Sequence, residues 1–521
     1  MPGSRSPCLL AALSAVTLAT GCMAPNPTRP SAAAPARLLS ETEQRLVRDV
    51  ESFVGQAMAQ LPAVPSLSVA VARSDGPILV RGFGRADLEG GVPADADTRY
   101  YIASSTKSFV GLAMALLDAR GAIDLDWTLA ALAPDIAFAP GVRANEVTLR
   151  HLLSHTHGLT GEAITFRLAY SGEHDPATLW RLLGRLEANE RAPLGTFSYG
   201  NLGYNVATLL IERRLGRTWQ EIVEREVLRP AGLDQTLTRG LEAARARAAF
   251  AAPYDSLAPG GPARLYLVKQ DDTMQSAGGM YSSATDMARW LQLNLAAARG
   301  GRTAIPSAVV AATHRPVATM DERFEMFRRS GYGLGWYSGP WGSETLLHSF
   351  GGFTGARAHV SFMPGRDIGV AVLVNDEGAG FILADVVAAF VYDWFGEGPE
   401  AARRAGLERL DRIVAQAAQR AGRIAAERTR RAARAWRLTL PRQAYAGRYC
   451  SPDYGTVAIA ADGEALVMTA GRLRAVAEPF DAEDAIRVEP VPGSGTVLRF
   501  GVVGGRVERL QALGGEFRRC G

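Results

Sequence analysis

Three features of the sequence predict an α+β fold, with an antiparallel sheet flanked by helices, then a helical link and a small antiparallel β-barrel. A helix-length pattern over 41–60 runs into strand segments 67–72 and 78–83, joined by the turn Ser74-Asp75-Gly76-Pro77. Two more strand segments, 358–363 and 368–375, precede an apolar helix over 381–395, which supplies the helical layer. After Leu440-Pro441, short alternating segments at 456–460, 465–469, 473–477, 486–489, 497–500 and 507–510 are separated by glycine turns, as in a small barrel.

The chain has 521 residues, 47% hydrophobic, enough for a large core and more than one domain. A net charge of +4 gives no global reason to expect a nucleic-acid partner. Residues 1–21 have the pattern of a secretory signal, with Arg5 ahead of an apolar run from Cys8 to Ala19. Leu18-Ala19-Thr20-Gly21-Cys22 resembles a bacterial lipobox with Cys22 as the lipidated residue, although Ala19 stands where leucine is usual. The expectation is a periplasmic protein anchored to the membrane by lipid, or a secreted one if the lipobox is not used. Residues 22–40 form a Pro- and Ala-rich tether.

The chemistry centres on Tyr100-Tyr101-Ile102-Ala103-Ser104-Ser105-Thr106-Lys107, followed by an uncharged apolar helix to Leu117. Ser104 is expected at or near the helix N-cap, with Lys107 one turn on along the same face. Poor solvation and the positive end of the helix both disfavour an ammonium there, leaving an amine able to take a proton from serine. Composition sharpens the point: of 57 basic residues only Lys107 and Lys269 are lysine. A buried amine can be neutral, whereas a guanidinium stays charged. Lys269 is expected at the surface, with a place lining the substrate cleft as the alternative.

Further on come Val147 to Leu159, with His151, His155 and His157, and the stretch Pro193-Leu194-Gly195-Thr196-Phe197-Ser198-Tyr199-Gly200-Asn201. From 41 to 395 the chain resembles the serine β-lactamase and penicillin-binding-protein superfamily, in particular the class C β-lactamase-like branch that includes D,D-peptidases, D-aminopeptidases and esterases. The resemblance implies that Ser104 is the nucleophile, with Lys107 and Tyr199 sharing the base role. It implies that Asn201 hydrogen-bonds the lysine and the substrate amide, and that the segment from Ser276 to Met287 shapes the site. The third motif departs from the family's K-T-G or H-x-G. Here Leu347-His348-Ser349-Phe350-Gly351 puts His348 at the basic position and Ser349 at the hydroxyl, but Phe350 at the expected glycine. Either the strand accommodates Phe350 or its register slips by one. The oxyanion hole implied is the N–H of Ser104 with that of Gly351.

Other chemistries find little support. The three histidines lack the glutamate of a zincin and the aspartate of an H-x-H-x-D site, so hydrogen bonding is their expected role and no metal is assigned. No G-x-S-x-G elbow or phosphate loop occurs, and no organic cofactor is implied.

The expected domains are a hydrolase domain over 41–396, an Arg/Ala-rich helical linker over 397–440 and a barrel over 441–521. In the linker, Leu407, Leu410, Val414, Ala417, Ala421 and Ile424 form a seam. It is expected to pack on its own domain, with a homo-oligomer through it as the alternative. Tyr445-Ala446-Gly447-Arg448-Tyr449 resembles the entry of the lipocalin-like module found behind some members of this branch. Cys450 and Cys520 flank that module, and in an exported chain they suggest a disulfide contributing on the order of 4 kcal/mol by loop entropy. The functional expectation is a serine hydrolase of peptidase or esterase type acting on a small peptide, ester or lactam, since Phe350 would narrow the edge that receives a lactam. A true β-lactamase and a silent binder of cell-wall peptides are the alternatives.

Overall fold

The computed structural model describes residues 37–520. The signal segment, Cys22 and most of the tether lie outside the described residues. Among those described, no helix is long and apolar enough to cross a membrane.

The helix Glu41–Gln60 begins with a capping box, in which Ser40 and Glu43 each bond the other's backbone N–H. Beyond it lies a ten-stranded antiparallel sheet. Its order from edge to edge is Ala318–Phe324, Phe327–Tyr332, Tyr337–Trp341, Glu344–His348, Ala356–Met363, Ile368–Val374, Ser66–Arg73, Gly76–Asp87 and Val92–Pro93. Gly351–Phe353 pairs onto Ala356–Met363.

Both faces of the sheet centre are covered, so its strands read as continuous apolar runs rather than alternating ones. Ala70, Ala72, Ala371 and Leu373 face one core with Phe109 of the helix Thr106–Ala119 and Trp290 of Ala284–Ala298. Val69, Val71, Val370 and Val372 face the other, with Val50 and Phe53 of the first helix and Phe390 of Gly380–Gly396. A smaller helical region, including Leu202–Leu215, extends the first core beside the Ser104 segment.

The Arg/Ala-rich region is one 34-residue helix, Pro399–Ala432. It lies on its own domain: Ala402, Leu410 and Ile413 are buried in the second core, with Leu407, Val414 and Ala417 packed against it. Arg431 reaches Glu489 of the C-terminal module at 3.6 Å. That module is a nine-stranded antiparallel sheet rolled into a nearly closed barrel. Its first strand, Gly447–Ser451, pairs with the last, Gly515–Arg519, and the disulfide Cys450–Cys520 bridges them. The barrel encloses its own core of Tyr449, Leu466, Ile486, Leu498 and Phe517.

Candidate active site

Tyr100–Tyr101 pairs with Tyr281–Ser282 and delivers the chain into a tight 3-10 turn, Ala103–Ser105, which continues as the helix Thr106–Ala119. Ser104 falls next to the helix N-cap, Ser105, within the expected position at or near the cap. Neither the turn nor the helix has a side-chain cap, so the Ser104 hydroxyl is left for other partners. Ala103, just before it, holds a φ of 43°. A non-glycine residue there costs roughly 1–3 kcal/mol and is typical of functional turns. Ser104 remains partly exposed between buried neighbours.

Lys107 Nζ lies 3.1 Å from Ser104 Oγ, 3.0 Å from Asn201 Oδ1 and 2.7 Å from the Ala277 carbonyl oxygen. The lysine is 1% exposed and no carboxylate pairs with it among the described residues. Burial pushes its pKa down, partly opposed by Tyr199. A neutral amine has two N–H donors and one lone pair. In that form Asn201 and Ala277 would accept the two N–H bonds, and the lone pair would be left facing the Ser104 hydroxyl.

Tyr199 stands next to this pair, with its ring centre 4.9 Å from Lys107 Nζ. The residue is 44% exposed, so it borders open solvent. The loop carrying it is tied down by N–H bonds from Gly195 to the Thr156 carbonyl and from Ser198 to the His155 carbonyl, each 2.8 Å. Asn201 precedes the helix Leu202–Leu215 without capping it, which leaves its amide oxygen to Lys107.

The three histidines hold this frame together. His151 completes a capping box with Thr148, and His157 Nδ1 accepts from the Leu159 N–H at 3.0 Å. His155 packs 4.5 Å from the Tyr199 ring, with Nε2 3.2 Å from the Tyr332 hydroxyl. Burial and the neighbouring Lys107 push His155 well below the ordinary histidine pKa. No cluster of three metal-ligating side chains occurs among the described residues.

At the third motif the strand accommodates Phe350 and the register does not slip. His348 stands opposite Ser361 and Gly351 opposite Ala358, so the pairing runs through Ser349 and Phe350 without an insertion. Phe350 turns into the second core against Phe327, ring centres 5.1 Å apart. Gly351 faces the Ser104 turn: a Cβ there would come within 1.9 Å of the Ile102 carbonyl and 3.0 Å of the Ser104 nitrogen. Only glycine permits that approach. Ser349 takes part through its backbone, its carbonyl accepting from Ser105 Oγ at 2.7 Å.

His348, which the resemblance implies would position substrate and stabilise charge, is instead buried. It is 1% exposed, stacked between Tyr337 and Phe350, and neither ring nitrogen has a hydrogen-bond partner. Burial, with Arg329 and Arg357 nearby, pushes its pKa well below the ordinary value, so it is a neutral packing group. Arg329 lies 3.8 Å over the Tyr337 ring, which is itself 6.0 Å from that of Tyr199. Nothing in the sequence distinguished Arg329 from the other arginines. Lys269 is also corrected: it is 4% exposed rather than at the surface, with Nζ donating to the Gln270 carbonyl.

Residues 54–391 match the Beta-lactamase family model. The chain belongs to the Beta-lactamase family. It is 28% identical over 359 residues to Unguisins hydrolase ungD' of Aspergillus campestris, covering 65% of this chain and 64% of that protein. It is 26% identical over 315 residues to Penicillin-binding protein 4 of Amycolatopsis lactamdurans, covering 59% of this chain and 78% of that protein. The fold is shared with the octameric penicillin-binding protein homologue from Pyrococcus abyssi at a TM-score of 0.57 and 22% identity, covering 89% of this chain and 98% of that one.

Proposed function

We propose that this protein is a serine hydrolase that cleaves an ester or amide bond through an acyl-enzyme. The observation that carries the reading is the buried Lys107 amine 3.1 Å from the Ser104 hydroxyl, with its two N–H directions occupied by Asn201 and Ala277. Ser104 Oγ attacks the carbonyl carbon while its proton passes to the Lys107 nitrogen. The carbonyl oxygen becomes an oxyanion held by the N–H groups of Ser104 and Gly351. As the intermediate collapses, the bond to the leaving group breaks and a proton returns to that group through Lys107 and the Tyr199 hydroxyl. Water then attacks the ester on Ser104 along the same proton route in reverse.

Names among the relatives, a hydrolase and a penicillin-binding protein, support acyl transfer on peptide-like substrates. Peptidase or esterase action is the favoured form. A fluorophosphonate serine probe tests it: one adduct at Ser104 in wild type and none in Ser104→Ala is expected, and no adduct in wild type overturns it. The family name keeps lactam hydrolysis as the second reading. Rapid turnover of a chromogenic cephalosporin would favour it over peptidase or esterase action.

The lipobox-like sequence ending at Cys22 supports periplasmic anchoring by lipid. Incorporation of a labelled fatty acid, lost in Cys22→Ala, checks it. The octameric Pyrococcus abyssi homologue supports testing for a homo-oligomer by light scattering.

A further inference from the structure

Beside Tyr199 and Asn201 opens a cleft of ≈ 420 Å³ whose wall comes from two modules. The hydrolase domain contributes Phe166, Tyr170 and Leu202, and the barrel contributes Leu513. Leu513 is the first residue of the two-residue turn joining Arg506–Ala512 to Gly515–Arg519, with Ala512 opposite Gly515. Its φ is 53° and that of Gly514 is 85°. Positive φ at both positions is the signature of a type I′ hairpin turn, which favours Asn-Gly or Gly-Gly. The preceding hairpin of the barrel obeys that rule, placing Gly504 and Gly505 at φ 57° and 78°. A leucine in the same position crowds its Cβ against the backbone, and here its side chain reaches the candidate site. A strained residue at a ligand wall is a reason to look for function.

The charge of the cleft is equally selective. In a chain with 55 arginines, no basic side chain besides His157 lines it, and burial holds His157 at about 4, hence neutral near pH 7. Its one formally charged lining residue is Glu162, which forms no ion pair among the described residues. The turn touches this carboxylate: a Cβ on Gly514 would lie 2.5 Å from Glu162 Oε2. A substrate group placed there meets the apolar side formed by Phe166, Tyr170, Leu202 and Leu513, neutral polar groups such as Thr165 and Asn189, and one negative charge.

We propose that the barrel completes the substrate site, with Leu513 and Glu162 selecting a bulky apolar group that carries no negative charge. This rests on the serine-hydrolase reading and adds the chemical class of its substrate. Leu513 and Glu162 are specificity residues: they meet the substrate's side group and take no part in the proton route.

The test uses the full chain and two ester series, p-nitrophenyl acetate, hexanoate and glutarate for the acyl side, and acetyl esters of ethanol, hexanol and 6-hydroxyhexanoate for the leaving side. Leu513→Gly suits the positive φ and Leu513→Asn tolerates it, so neither threatens the hairpin; a thermal melt verifies folding. In one series, both variants are expected to lower the ratio of kcat/KM for the six-carbon neutral group over the two-carbon one by about tenfold, mainly through KM. In that series, Glu162→Gln is expected to raise the relative rate on the carboxylate-bearing ester about threefold. Unchanged ratios in both series overturn the proposal. Fluorophosphonate labelling of Ser104 separates the two failures. A labelled serine with unchanged ratios removes only this inference, whereas an unlabelled wild-type serine removes the hydrolase reading beneath it.

Discussion

Lys107 and Lys269 invite comparison, because they are the chain's two lysines and both are buried, at 1% and 4% exposure. Burial pushes both below the ordinary lysine pKa, Lys269 to about 7. What surrounds them differs. Lys107 has a hydroxyl at 3.1 Å and two acceptors that fix the direction of its lone pair. Lys269 spends an N–H on the neighbouring Gln270 carbonyl and has Asp271 and Asp272 favouring its charged form. Desolvation alone makes a weakly basic amine. In the proposed reading, what would make Lys107 a base is its aim at the Ser104 hydroxyl, and the 3-10 turn at Ala103–Ser105 supplies that aim.

The comparison breaks most sharply by substitution. Lys107→Met is expected to lower kcat/KM on a p-nitrophenyl ester by roughly 10³-fold, within the range for loss of a general base, while Lys269→Met leaves it within about twofold. Comparable losses in both variants would erase the distinction. Tyr199→Phe is expected to cost less, about 10²-fold, because the phenol assists proton delivery while Lys107 still accepts from serine.

The pH dependence follows from the direction of the Lys107 shift. Its neutral form is the active one, so acylation is expected to rise with pH through a midpoint below 10.5 and then level off. A pH-rate profile over 5 to 10 measures this, and a flat profile contradicts it. The smallest effect concerns stability. Lys269 binds its proton only below about 7 when folded, but below 10.5 when unfolded. Its contribution therefore favours folding above 10.5 and is lost as pH falls towards 7. Lys269→Met is expected to raise Tm by roughly 2 °C near neutrality, with the gain vanishing towards pH 10.5. A constant difference across that range would rule out titration of Lys269 as its cause.

Local patterns made much of this legible in advance. The helix expected over 41–60 is Glu41–Gln60, and the strand pair after it is longer by a few residues at its ends. Ser104, Lys107 and Asn201 meet because one helical turn and one loop bring them together, which spacing and family resemblance could both express. The missed features depend on tertiary surroundings. Gly515–Arg519 is short and charged, and it becomes a strand because Arg506–Ala512 and Gly447–Ser451 flank it. His348 fits the basic position by sequence, yet Tyr337 and Phe350 bury it, and no periodicity reports that stacking. Leu513 lines the cleft only because the barrel hairpin carries it there.

The most direct measurement of the central claim is time-resolved mass spectrometry of fluorophosphonate adducts in wild type, Ser104→Ala and Lys107→Met across pH 5 to 10. The account predicts a single adduct at Ser104 that forms faster as pH rises, is absent from Ser104→Ala, and forms at least about 10²-fold more slowly in Lys107→Met. Labelling of Lys107→Met at the wild-type rate, or an adduct on another residue, would contradict it.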